Sequence, residues 1–81
     1  MPTYLLMYKL CSLDLVCTEA KQFDALDEKA ACSLARTLWQ WVIASLPILR
    51  PPACFTTAKE PTLYQGSSAD KQKIDCSFNS Q

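Results

Sequence analysis

The chain contains no histidine and a single glycine, and neither sign of charge predominates, since eight lysines and arginines balance eight aspartates and glutamates. Each shortage closes a class of function. Without an imidazole, a serine or cysteine nucleophile lacks its usual general base, and a mixed cysteine–histidine zinc site cannot be assembled. One glycine cannot supply either of the common glycine-rich phosphate loops. The charge balance provides no long-range field toward nucleic acid or an anionic membrane. Lys9, Asp14, Gln40 and Arg50 interrupt the apolar runs well short of the roughly 20 residues a membrane-spanning helix needs. The opening residues, Met1 to Lys9, lack the basic stretch and small-residue cleavage site of a secretory leader. These absences predict a single soluble cytoplasmic domain, not an enzyme, with no cofactor, no metal and no membrane association.

What is present is ordinary for a folded domain. Hydrophobic residues make up 49% of the 81 residues and charged residues 20%, so the chain can bury one lean core. The five cysteines, Cys11, Cys17, Cys32, Cys54 and Cys76, stand far apart with no Cys-x-x-Cys. In a reducing compartment they are expected to be free thiols, the buried ones packing as small hydrophobes.

Residues 27–46 carry the clearest periodicity. At 100° per residue, Ala31, Leu34, Ala35, Leu38, Val42 and Ser45 fall on one stripe, which predicts an amphipathic helix packed on one face. Asp27 is the expected N-cap, with Asp24 competing; Glu28 complements the helix dipole and Leu26 is placed to staple onto Ala31. Pro47 restricts Leu46 and stops the helix. Aromatic and aliphatic residues from Tyr4 to Leu10 predict a strand, either covered on both sides or pairing centrally, in preference to a helix, and Leu13 to Ala20, extending towards Phe23, a second. After the helix, 53–58 reads as a strand, 59–61 as a turn and 62–65 as a short strand. The expected fold class is α+β: a small antiparallel sheet in the order ββαββ with the helix across one face. Residues 1–65 form the domain and 66–81 a polar loop or tail, whose alternation over 73–79 suggests a fifth strand.

Candidate functional residues follow from what folding leaves unexplained. Asp24, Asp27 and Glu28 gather at the helix start, where capping explains them better than acid–base chemistry. Tyr4, Tyr8 and Phe55, with Lys9 and Lys59, would offer a stacking platform to single-stranded nucleic acid if they faced outward, although strand aromatics are more often core. The helix's apolar arc is wider than one sheet face requires. Cys32, Trp39 and Ile43 lie at one margin and Trp41 at the other, and tryptophan is enriched at the centres of interfaces. Trp39, Ile43 and Cys32 are therefore the expected contacts for another protein or for a second copy of this chain in a homodimer, unless 48–49 or the tail folds over them. The expected function is a non-catalytic interaction domain, such as an accessory subunit or a small inhibitor of the kind encoded by phages and mobile elements. The alternatives are a thiol-based redox or sensor protein using Cys17 or Cys76, whose neighbours are polar, and a nucleic-acid-associated regulator. A sheet edge open to a partner strand is a second binding route.

Overall fold

The computed structural model describes residues 2–67 and 70–78. The chain is an α+β domain in which strands β1 (Thr3–Cys11) and β2 (Val16–Asp24) precede helix α1 (Glu28–Ala44). Strands β3 (Ile48–Arg50), β4 (Ala53–Phe55), β5 (Thr57–Ser67) and β6 (Asp70–Ile74) follow it. Four strands make one antiparallel sheet in the order β2-β1-β5-β6, and β3 and β4 pair as a separate hairpin.

β1 is central, as its two-sided apolar character predicts, and its neighbours explain its alternation. Tyr4, Leu6, Tyr8 and Leu10 are buried on the face that carries α1, where they join Leu63 of β5 and Ile74 of β6. From the helix come Ala31, Ala35, Trp39 and Val42. The two alanines are completely buried; their short side chains let the helix lie close to the bulky tyrosines of β1, so large and small residues interdigitate across the layer.

The β1–β2 turn closes without glycine because Ser12 supplies both donors. Its backbone N–H donates to the carbonyl of Leu15 at 2.8 Å and its hydroxyl donates to the same oxygen at 3.4 Å. Asp27 caps α1 as expected, its carboxylate accepting from the Ala30 N–H at 2.8 Å. Ser45 closes the other end, its N–H donating to the carbonyls of Trp41 and Val42. The Leu26 staple does not form, since that side chain is exposed.

The second half of the chain differs from the sequence reading in its boundaries. The segment 53–58 is divided: Ala53–Phe55 turns back on Ile48–Arg50, while Thr56 donates to the Cys11 carbonyl at 3.0 Å and so starts β5 alongside β1. The expected turn at 59–61 is a bulge inside one long strand. Glu60 and Pro61 stand opposite Tyr8 alone, the register shifts between Met7 and Lys9, and Glu60 takes φ 58°. Sheet pairing also continues past residue 65. Gly66, at φ 105°, precedes a reversal into β6, which occupies Asp70–Ile74 instead of 73–79; Asn79 of that expected strand lies outside the described residues.

Candidate interaction surface

Helix α1 presents three strips to its surroundings, and the structure assigns each. The inward strip is rotated from the expected stripe by roughly 45° at 100° per residue, towards Trp39. Ala31, Ala35 and Val42 remain buried, Trp39 joins them, Leu38 is half-buried and Leu34 is exposed.

The margin formed by Cys32, Trp39 and Ile43 is the one that folding covers. Trp39 is only 4% exposed, with its ring centroid 5.7 Å from that of Tyr8 and the planes inclined at 59°. Cys32 is bonded to Cys76, which follows directly from β6, and Phe78 lines the same hollow as Trp39 and Ile43. Ile43 alone keeps appreciable exposure, at 37%. The segment after β6 thus folds over this margin. Trp39 is a core residue here, not an exposed anchor, and Cys32 is a cross-link.

The opposite margin is left open. Leu34 is 45% exposed and Trp41 74% exposed, with half-buried Leu38 between them at helical spacing. Because the Cys32–Ile43 side is held towards β6 by the disulfide, the Leu34–Leu38–Trp41 side looks towards the β2 end of the sheet. Periodicity places Trp41 at this margin, but which margin the rest of the chain covers depends on a contact spanning 44 residues.

The thiols divide in a way that spacing did not predict. Cys32 and Cys76 form a disulfide with Cα atoms 5.7 Å apart, correcting the expectation of free thiols at both and removing Cys76 as a reactive candidate. Disulfides persist where the surroundings are oxidising. Cys11 and Cys17 are free and half-buried, and Cys54 is free and exposed. Cys54 lines an open cleft of about 570 Å³ between the β1–β2 turn and the β3–β4 hairpin, with Leu13, Leu15 and Pro52. The charged residue in that lining is Asp14.

The stacking platform does not form from the expected aromatics. Tyr4, Tyr8 and Phe55 are all buried in the hydrophobic core, and Tyr4 stacks on Phe23 with centroids 6.0 Å apart. Burial, with Glu28 and Asp27 nearby, raises the Tyr4 phenol above its ordinary value. Burial and Glu19 do the same to Tyr8, against a smaller opposing effect of Arg50. On the other face of the sheet, the Lys71 ammonium sits 5.3 Å from the centre of the Tyr64 ring. Lys9 pairs with Glu60 at 3.0 Å, which lowers the Glu60 carboxyl.

Among the described residues, no group of three or more histidine, cysteine, aspartate or glutamate side chains is placed to hold a metal ion, and no helix is long and apolar enough to cross a membrane. Comparison with protein-family models, with curated proteins and with solved structures finds no match to this chain.

Proposed function

We propose that this chain is a small non-catalytic protein-interaction domain, and that its partner docks on the open margin of α1 formed by Leu34, Leu38 and Trp41. The carrying observation is Trp41, an aromatic side chain 74% exposed and the most exposed large apolar residue of the helix, whose opposite margin carries the buried Trp39. An indole left in water forgoes much of the transfer free energy its burial would release, and tryptophan is the residue type most enriched at the energetic centres of interfaces. The capped helix, packed on the sheet and cross-linked to the chain beyond β6, holds this side chain on a rigid support. The partner supplies a groove for an amphipathic helix face read through residues spaced i, i+4 and i+7.

Accessory-subunit and inhibitor roles both fit this mode of action, since each works by occupying the surface of a larger protein. The Cys32–Cys76 bond favours an oxidising site of action over the reducing cytoplasm expected from the sequence. The test is recovery of the protein with its partners from native extract, comparing the parent chain with Trp41→Asp. A stoichiometric partner retained by the first and lost from the second supports the proposal. Equal recovery with both removes it.

A further inference from the structure

The sheet has two edges, and they are built differently. β6 is short, with five residues including Lys71 and Lys73, a composition that discourages edge-to-edge pairing. β2 is nine residues long and pairs with β1 at every position from Val16 to Asp24, without a register shift. It contains neither proline nor glycine. Its outer edge pairs with nothing among the described residues. A regular edge of this length presents a row of backbone donors and acceptors with no bulge to turn it away.

We propose that this edge is a homodimer interface, in which two copies pair β2 with β2 antiparallel about a two-fold axis at Ala20. The evidence is the strand's complementarity to itself. In that register Glu19 of one copy faces Lys21 of the other, and the reverse pair repeats across the axis. Thr18 faces Gln22, Cys17 faces Phe23, and Ala20 meets its own copy, where a small side chain suits the crowded axis. Paired residues share a face of the sheet. Glu19 and Lys21 lie opposite Tyr8 and Leu6 of β1, so both charges stand on the helix-bearing side, where they can meet. Arg50 of β3 already holds the Glu19 carboxylate at 2.8 Å, fixing one half of each pair before association.

Neighbouring registers are opposed by the same charges. Moving the axis by one residue to Glu19 sets two carboxylates face to face, and moving it to Lys21 sets two ammonium groups face to face. The strand thus opposes both adjacent registers as well as permitting this one. Both copies then carry their helices on the same side of one continuous sheet of eight strands, four from each. Half-buried Cys17 and Phe23, at the open edge, are covered by each other's counterparts.

Charge exchange tests the proposal. By sedimentation equilibrium, the parent chain should form a dimer. Glu19→Lys alone and Lys21→Glu alone should each weaken it by roughly tenfold or more, because both symmetry-related pairs become repulsive. An equimolar mixture of the two variants should recover the dimer as a heterodimer, since all four facing positions are then unlike. A variant that had only failed to fold would not be rescued in this way. A parent chain that stays monomeric at high micromolar concentration, single variants that dimerise as the parent does, or a mixture that gives no recovery, overturns the proposal.

Discussion

Trp39 rests against Tyr8 inside the core, their centroids 5.7 Å apart, while Trp41, two residues on, stands 74% exposed. Two tryptophans on one helix are thereby given opposite roles. Trp39→Ala removes a buried ring and leaves a cavity, and should cost about 3–5 kcal/mol. Trp41→Ala should change stability by no more than about 0.5 kcal/mol, as for surface substitutions in general. Urea denaturation midpoints of the two variants check the contrast, and similar losses at both positions would contradict the assignment.

The disulfide closes the chain between positions 44 residues apart. On the loop-entropy account, a closure of that length stabilises the fold by about 4 kcal/mol. Reductant should lower the denaturation midpoint, and Cys32→Ala/Cys76→Ala should lower it to the same value and make it insensitive to reductant. Under oxidising conditions, complete unfolding should expose three labelled thiols, Cys11, Cys17 and Cys54.

The raised phenols of Tyr4 and Tyr8 set a direction for alkaline stability. The folded chain holds these protons more tightly than the unfolded chain does. Their contribution is therefore fully present below the ordinary tyrosine value near pH 10 and is lost as pH rises from there through the raised values. Denaturation midpoints should fall above about pH 10, and ultraviolet titration should show two phenols ionising late or together with unfolding. Midpoints that rise over this range would contradict the burial of these side chains.

Features set by neighbouring residues were legible in the sequence. Asp27 caps the helix and Pro47 follows its end because a cap and a stop act within about one turn, and the apolar character of both faces of Tyr4 to Leu10 marks the central strand. Features set by distant contacts were not. Glu60–Pro61 has the composition of a turn, yet pairing with β1 on both sides of it makes it a bulge. Cys32 and Cys76 bear no spacing that marks them as partners. That bond, with Phe78, decides which margin of α1 is covered, and so leaves Trp41, not Trp39, exposed.

The most direct test of that claim reads Trp41 itself. In a Trp39→Phe chain, Trp41 is the one remaining indole, and its emission should be red-shifted and readily quenched by acrylamide, as for an indole in water. On titration with the partner recovered from native extract, a blue shift and protection from quenching should appear and saturate at a fixed stoichiometry. Emission and quenching that stay unchanged while the partner binds would contradict docking at Trp41.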